Sequence, residues 1–237
     1  MAMCRAAVAE KISILNKGTE SLDISISYCE FHTTHKFAVE TVREAYRRIG
    51  MKPKFVAFPC KRSLSEANSG RFSAEVARIL DISEQYPNLI AAESPTITIE
   101  AVVVTKNIKR DISHWSDLNG LRIGIIRGEQ YAERGTEAMN VYFANDHNGL
   151  LKSLLHDEID VAIVIRRDFE LIMRSTDFFG ENIHIIGKPI FSAPLYHLVH
   201  KNNRELLLRL NPVFKEMWDS GETEAIHMKT INLLTTH

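Results

Sequence analysis

Apolar and polar positions alternate or recur along the chain in a way that separates strands from helices. Residues 22–28 alternate apolar and polar side chains, which predicts a half-buried strand. Residues 37–49 repeat apolar side chains at helical spacing, and Gly50 is placed to end that helix. Residues 54–58 form the next apolar run. A strand, a helix and a strand in this order predict a parallel βαβ unit.

The later part of the chain predicts a second lobe and two connections to it. We interpret residues 97–105 as a strand that crosses between lobes, and residues 182–186 with 188–200 as the segments that cross back. Residues 121–126 and 159–165 are typical of buried strands. The chain is therefore predicted to be an α/β protein of two lobes, each a mixed β-sheet flanked by helices, joined by two crossing strands.

Composition limits the classes of function. The chain has 237 residues, of which 45% are hydrophobic, enough for two lobes of roughly 100 residues each. The formal net charge is −1, with no basic stripe, so we expect no nucleic-acid partner. No apolar run approaches the roughly 20 residues that span a bilayer.

The three cysteines are too few for a disulfide scaffold. Cys29 and Cys60 end apolar runs that we interpret as neighbouring strands, so their side chains are expected to lie close. A disulfide in an oxidising compartment and two buried thiols both fit the sequence, and we favour the thiols. Cys4 lies near the N-terminus. There, the small residues at 6–9 suggest the end of a secretion leader, and an Ala-rich helix start is the alternative.

The segment 58–78 contains the strongest candidate chemistry. Arg62 and Arg78 are predicted at turns between strands and helices. A guanidinium group offers a fixed fork of donors that suits a planar carboxylate. Solvated surface arginines are the alternative, since most arginines are exposed.

Three segments carry a resemblance to a known family. FPCKR at 58–62, EANSGRFSAE with Arg78 at 66–78, and QYPNL at 85–89 resemble the bacterial solute-binding proteins of family 3. The branch in question has a "P-aromatic-x-R" turn and an "n-x-G-x-x-D-G-x-x-x-R" turn. Cys60 stands where an aromatic residue is usual, and Ser73 and Ala74 where Asp-Gly is usual. Agreement in order extends from about residue 22 to residue 228.

The resemblance implies a type II periplasmic-binding-protein fold and a periplasmic receptor. Such a receptor closes on a small solute, here expected to bear a carboxylate, as an amino-acid-like molecule or organic acid does. Its expected partner is an ABC-type permease or a membrane sensor. We expect a monomer without a cofactor. The predicted divisions are an N-terminal extension at 1–20, lobe 1 at 21–103 and 198–237, and lobe 2 at 104–197.

The predicted ligand site combines the turns of both lobes. Arg78 and Arg62 are expected to face the turn of Arg127, Gly128 and Glu129, whose backbone N–H groups lie at a helix start. The expected wall residues are Glu30, His32, Glu75 and Tyr196.

Two positions depart from the pattern of amino-acid receptors. Glu129 replaces the small hydroxyl residue of the family turn, and it either caps its own helix or takes a cationic ligand group. Ile165 occupies the position where those receptors carry an aspartate for the ligand's ammonium group. A standard amino-acid clamp is therefore in doubt.

Three other functions remain as alternatives. Glu30, His32 and His35 form an E-x-H-x-x-H cluster of the kind that holds zinc or nickel. Some proteins of this fold are dehydratases of cyclohexadienyl acids, and the carboxyl groups of the cleft can supply a general acid. A sensor module has the same fold. We expect a binding protein that is not an enzyme and holds no metal.

Overall fold

The computed structural model describes residues 24–30, 33–80, 85–175 and 177–235. Its strands are β1 (Ser25–Cys29), β2 (Lys54–Phe58), β3 (Ala74–Arg78), β4 (Leu89–Thr105), β5 (Ile123–Ile126), β6 (Val141–Ala144), β7 (Val161–Ile165) and β8 (His184–His200). Its helices are α1 (Thr33–Arg48), α2 (Cys60–Asn68), α3 (Gln130–Gly135), α4 (His147–Leu155), α5 (Arg166–Ile172), α6 (Glu205–Asp219) and α7 (Glu222–Thr235). Short 3-10 helices lie at Trp115–Leu118 and Lys201–Asn203.

Within these residues, one eight-stranded sheet has the order β2-β1-β3-β8-β4-β7-β5-β6. Strand β1 pairs in parallel with β2 and β3, and β5 pairs in parallel with β6 and β7. Strands β4 and β8 are antiparallel partners from Leu89 opposite His200 to Thr105 opposite His184. Each of these strands has 17 residues and passes from one parallel group to the other. The molecule therefore has two lobes joined by two crossing strands.

The parallel strands of each lobe end at a common edge. In lobe 1, Cys29, Phe58 and Arg78 are the last residues of β1, β2 and β3. In lobe 2, Ile126 and Ile165 end the neighbouring strands β5 and β7. Ligands of open α/β sheets bind beyond such carboxyl ends, so these two edges position the candidate site.

The helices pack on the sheet through the apolar faces that the periodicity predicts. Helix α1 buries Phe37, Val42 and Tyr46, and its Thr41 hydroxyl lies 2.8 Å from Nε2 of His227 in α7. On one face of the lobe 2 sheet, apolar residues that include Val164 and Leu151 form a separate cluster. No helix in the described ranges is both long and apolar enough to cross a membrane.

The first crossing strand is longer than the sequence predicts, and the second is continuous. Strand β4 continues through Pro95, where the ladder shifts register because proline has no N–H to donate. Strand β8 unites the two segments predicted at 182–186 and 188–200. Its Gly187 has φ +68°, and a Cβ there would lie 2.1 Å from the carbonyl oxygen of Ile112. Only glycine fits that close approach.

Other elements also differ from the prediction. Helix α1 begins at Thr33, so the polar turn expected over residues 30–35 is shorter, and Arg62 lies inside α2 rather than in a turn. Strand β6 and helix α7 were not predicted. The apolar residues of β6 include the exposed Tyr142 and Phe143, so its pattern does not resemble that of a buried strand.

His197 and His200 lie in the crossing segment predicted at residues 188–200. Both side chains are buried because β8 lies between β3 and β4 in the middle of the sheet. Nε2 of His197 lies 3.2 Å from the hydroxyl of Tyr46, and its Nδ1 lies 3.3 Å from the carbonyl oxygen of Val76. Burial lowers the pKa of His197 to about 4.

Cys29 and Cys60 form a disulfide, with their Cα atoms 4.4 Å apart. The preference for two buried thiols is therefore wrong. Cys29 ends β1 opposite Phe58, and Cys60 begins α2 two residues after Phe58. This parallel pairing brings the two cysteines together and ties β1 to the start of α2.

The predicted lobe boundaries remain an interpretation. They fall at 103/104 in β4 and at 197/198 in β8, the two strands that both lobes share. The N-terminal extension at 1–20, with its leader hypothesis and Cys4, lies outside the described residues.

Candidate functional site

Arg78 lies at the carboxyl edge of lobe 1 and is held from three sides. Its Nη2 lies 2.8 Å from Oε1 of Glu75 and donates to the carbonyl oxygen of Cys60 at 3.2 Å. Its Nη1 lies 3.3 Å from Nε2 of His35. The side chain is only 11% exposed, so these contacts are shielded from water.

Glu75 is the buried counter-charge of Arg78. It accepts hydrogen bonds from the hydroxyl of Ser27 at 2.6 Å and from the hydroxyl of Ser63. Residues three apart on a regular strand face opposite sides, but the register of β3 shifts between Glu75 and Arg78, which allows the two to meet. Burial raises the pKa of Glu75, and the charge of Arg78 and both serine bonds oppose that rise. We call Glu75, Arg78, Ser27, Ser63 and His35 the lobe 1 cluster.

The opposite edge carries two buried carboxyl groups. Glu129 follows β5 and is 3% exposed, and Asp168 follows β7 in α5 and is 1% exposed. The hydroxyl of Tyr131 donates to Oε2 of Glu129. The ring of Tyr131 stacks on that of Phe191, with centroids 5.3 Å apart and planes at 13°. We call Glu129, Tyr131 and Asp168 the lobe 2 cluster.

The carboxyl groups of the lobe 2 cluster are costly to ionise. Burial raises the pKa of Glu129 to about 8, with the charges of Asp168 and Glu133 adding to the rise and the Tyr131 bond opposing it. Burial likewise raises the pKa of Asp168 to about 6, opposed by its bonds to Thr34 and by the charge of Lys36. The charge of Asp168 thus disfavours the ionised form of Glu129.

Asp168 also connects the two lobes. Its Oδ1 accepts from the backbone N–H and the hydroxyl of Thr34, both at 3.1 Å. Thr34 lies in the first turn of α1, where backbone N–H groups lack partners within the helix and attract carboxylates. The next residue, His35, contacts Arg78. The first turn of α1 thus brings the two clusters close to each other.

The remaining predicted residues of lobe 1 and β8 are placed less centrally. Arg62 is 65% exposed, with its Nε 3.5 Å from Glu66 and its guanidinium 5.2 Å from the ring of Phe58. Glu30 is exposed, and its backbone N–H donates to Phe58. Tyr196 lies on β8 directly opposite Arg78. His32 lies outside the described residues.

The predicted turn of lobe 2 adopts the conformation of a helix start. Gly128 has φ +89°, and its N–H donates at 2.7 Å to Oε1 of Glu133. Arg127 is exposed, with its guanidinium 5.2 Å from the ring of Phe143. The side chain of Glu129 makes no capping bond to its own helix, so the first of the two roles considered for it is wrong.

The sequence of the chain matches a known protein family. Residues 28–232 match the bacterial extracellular solute-binding proteins, family 3. The chain belongs to this family. The resemblance detected in the sequence is thereby confirmed. An uncharacterized protein of Shewanella oneidensis is 26% identical over 199 residues, which cover 80% of this chain and 74% of that protein.

Solved structures confirm the fold of this family 3 protein. A histidine kinase sensor domain with similarity to periplasmic binding proteins superposes with a TM-score of 0.69 at 19% identity, covering 88% of this chain and 95% of that one. The periplasmic binding protein of an arginine transport system from Legionella pneumophila gives 0.67 at 19% identity, covering 88% and 99%. Both support a type II periplasmic-binding-protein fold.

Several polar side chains of the two clusters in this family 3 protein were not predicted from the sequence. One of them is Asp168, which comes three residues after Ile165, the position where amino-acid receptors carry an aspartate. Its signal was an acidic residue in the first turn after a buried strand. No sequence pattern marks Ser27 or Ser63 as part of a site, since serines are common in strands and helices of this kind.

The metal hypothesis gains no support from the described residues of this family 3 protein. Within them, no three His, Cys, Asp or Glu side chains are grouped so as to hold a metal ion. His35, one member of the predicted cluster, contacts Arg78 instead. The other predicted histidine, His32, is not described.

Proposed function

We propose that this family 3 protein is a receptor that closes its lobes over a small polar solute. The observation that carries the proposal is the bond from Thr34 of lobe 1 to Asp168 of lobe 2, beside the Arg78 contact of His35. The polar groups of both lobes converge there. Sites of this kind, where a few polar groups meet in a cleft, are the usual places for small ligands.

Closure follows from differential affinity. A solute that touches both lobes only when they are closed shifts the population toward the closed form. The two crossing strands β4 and β8 are the segments about which such a motion would occur. The size of the shift is set by how much more tightly the closed form binds.

An anionic group of the solute is proposed to bind at Arg78. Its Nε is buried and has no hydrogen-bond partner among the described residues. An unsatisfied buried donor is costly, so an acceptor on the solute would be favourable there. Tyr196, opposite Arg78 on β8, and the exposed Arg62 and Glu30 are proposed as rim contacts.

The periplasm is the proposed compartment, and a membrane protein the proposed partner. The Cys29–Cys60 disulfide suits an oxidising environment. One structural neighbour belongs to an arginine transport system and another to a histidine kinase, so an ABC-type permease and a membrane sensor are the two candidate partners. Both neighbours are binding or sensing proteins, which supports binding rather than catalysis.

Calorimetry on a variant in which both Glu75 and Arg78 are replaced by uncharged residues tests the role of Arg78. Arg78→Ala alone would leave Glu75 buried without a cation, so the variant is E75Q/R78M. A thermal-shift screen of amino acids, organic acids, amines and divalent metals first identifies a solute, since ligands that prefer the folded state raise its melting temperature. That solute should bind the variant at least about tenfold more weakly, as expected when a charge-assisted bond is lost.

A matched control removes the charges of an exposed ion pair whose residues are also three apart in sequence. Arg43 and Glu40 are 3.2 Å apart with exposures of 51% and 41%. E40Q/R43M should bind the solute as the wild type does. Equal affinity in E75Q/R78M would remove Arg78 from the site.

A further inference from the structure

Three consecutive residues at the start of α5 contact three different elements. Nε of Arg166 lies 2.6 Å from Oε2 of Glu100 on crossing strand β4. Nη2 of Arg167 lies 2.6 Å from Oε2 of Glu224 on α7. The next residue, Asp168, accepts from the first turn of α1. The first turn of α5 is therefore bound on several sides, and the contact between α5 and α7 lies outside both clusters.

The ion pair between α5 and α7 joins the two lobes. Helix α7 packs along α1, which follows strand β1 of lobe 1. In that packing His227 lies 2.8 Å from the hydroxyl of Thr41, and Glu222 pairs with Arg48 in the last turn of α1. Helix α5 instead follows β7, a strand of lobe 2. A motion that separates the lobes would therefore pull the two ends of this pair apart.

A groove separates part of the two helices. It has a volume of about 290 Å³ and lies between α5, β4 and α7, with Ile165 and Met228 among its lining residues. Arg167 and Glu224 both border it. Because apolar side chains do not fill this space, moving α5 away from α7 exposes little new apolar surface there. The ion pair is thus a contact between the lobes that forms and breaks at little apolar cost.

The pair consists of two full charges at neutral pH. Nδ1 of His227 lies 3.9 Å from Glu224, but burial and the charge of Arg167 lower the pKa of His227 to about 4, opposed by the charge of Glu224. The histidine is therefore neutral at about pH 7.5, and Glu224 faces Arg167 as its cation. The side chains are 20% and 58% exposed, so water and salt screen the pair in part.

We propose that Arg167 and Glu224 form a latch that stabilises the closed form from outside the solute site. The inference rests on the proposed closure of the lobes. The ion pair contributes only when the lobes are together, so it raises the closed population before any solute binds. Apparent affinity is scaled by the fraction of protein that is ready to bind, so the latch also tunes solute affinity. Both are positioning residues, since they hold the lobes without touching the solute.

Pulsed electron paramagnetic resonance on the solute-free protein tests the latch. Spin labels attached through para-acetylphenylalanine at Ser65 of α2 and at Lys152 of α4 report the distance between the lobes. Both positions are exposed, and this chemistry leaves the disulfide intact. The open and closed forms each give their own distance, and the ratio of the two populations is the closing equilibrium.

Removing either end of the pair should lower the ratio of closed to open protein by about 2- to 5-fold, the worth of a partly exposed ion pair. The variants are Arg167→Gln and Glu224→Gln. R167Q/E224Q should lower the ratio no further, because the same single interaction is lost in all three proteins. Sodium chloride at about 1 M should lower the wild-type ratio and leave that of R167Q/E224Q nearly unchanged.

Glu222→Gln is the matched control. Glu222 lies two residues before Glu224 on the same helix and likewise pairs with an arginine, Arg48. Both ends of that pair lie on the packed helices α1 and α7, so closure neither forms nor breaks it. Glu222→Gln should therefore leave the ratio of closed to open protein unchanged, and an equal fall in this variant would overturn the latch.

The remaining outcomes separate the latch from the proposed function. Two populated distances whose ratio neither Arg167→Gln nor Glu224→Gln changes would overturn the latch and leave the function in place, since closure is then observed. A single distance that the wild type shares with both variants would also overturn the latch. Adding the standard amino acids, succinate, citrate and putrescine to that wild type then tests the function. A new distance retains the proposed function, whereas an unchanged distance counts against it.

Discussion

The lobe 1 cluster and the lobe 2 cluster differ in how their buried carboxyl groups are stabilised. In lobe 1 the buried Glu75 has a guanidinium 2.8 Å away and two serine hydroxyls as donors. In lobe 2, Glu129 accepts from a tyrosine hydroxyl and Asp168 from the N–H and hydroxyl of Thr34, and one oxygen of Asp168 has no donor among the described residues. The lobe 1 cluster carries its own counter-charge, whereas burial raises the pKa of both acids in the lobe 2 cluster and makes them costly to ionise.

This contrast indicates which residues determine stability and which determine binding. Groups whose charges are already paired contribute chiefly to the stability of the folded state, because removing one partner leaves the other buried without a counter-charge. Groups held neutral by burial are available to ionise when a ligand supplies the opposite charge.

The largest effect is expected from breaking the lobe 1 pair. Glu75→Gln leaves the guanidinium of Arg78 buried without a counter-charge, which should lower the free energy of unfolding by about 3–5 kcal/mol. Urea denaturation followed by circular dichroism measures it. Asp219→Asn, which breaks the exposed 2.6 Å pair with Lys215, should leave the midpoint nearly unchanged. A stable Glu75→Gln protein would show that the pair is dispensable.

The disulfide should contribute a slightly smaller amount. It closes a loop between residues 31 apart, and the loss of chain entropy in the unfolded state predicts about 3–4 kcal/mol. The double change Cys29→Ala and Cys60→Ala should lower the urea midpoint accordingly. Since Arg78 donates to the carbonyl oxygen of Cys60, solute binding should weaken as well. An unchanged midpoint would mean that β1 and α2 are held together by packing alone.

The lobe 2 cluster should make stability depend on pH. Glu129 has a pKa of about 8 in the folded protein against 4.5 ordinarily, so the folded state retains a proton that the unfolded state has lost. Stability should therefore fall as pH rises, by about 1–2 kcal/mol between about pH 6.5 and 8. His197 and His227 have pKa values lowered to about 4 against 6.5 ordinarily, so their opposite effect still rises at the start of this window and offsets part of the fall.

Glu129→Gln should remove this part of the dependence. Chemical denaturation at three pH values, with wild type and variant side by side, isolates the contribution because the other groups cancel. Parallel curves for the two proteins would contradict the placement of Glu129 as a buried acid.

The smallest effect is expected at Arg62. It is 65% exposed, and its contact with Glu66 is long at 3.5 Å, so Arg62→Ala should leave the unfolding midpoint within error. Solute affinity should fall less than in E75Q/R78M, as measured by calorimetry. A larger loss would place Arg62 at the centre of the site.

Sequence periodicity predicted most of the fold because it reflects burial directly. The strand at residues 54–58, the helix ended by Gly50 and the two crossing segments follow from spacing alone. It did not indicate that His197 is buried, because the central position of β8 depends on pairing with β3 and β4, which are distant in sequence. It also failed at β6, whose Tyr142 and Phe143 are exposed.

The site was less predictable, since it depends on which loop ends meet. Arg78 and Glu75 were both singled out, but their ion pair requires an irregularity in β3 that no local pattern indicates. Asp168 was missed because its partner Thr34 is 134 residues away. Contacts between lobes are set by tertiary geometry.

Small-angle X-ray scattering with and without the solute found in the thermal-shift screen tests the central claim most directly. If the solute closes the two lobes, saturating solute should lower the radius of gyration of the wild type. E75Q/R78M should need a higher solute concentration for the same decrease. A radius of gyration that saturating solute leaves unchanged would contradict the account.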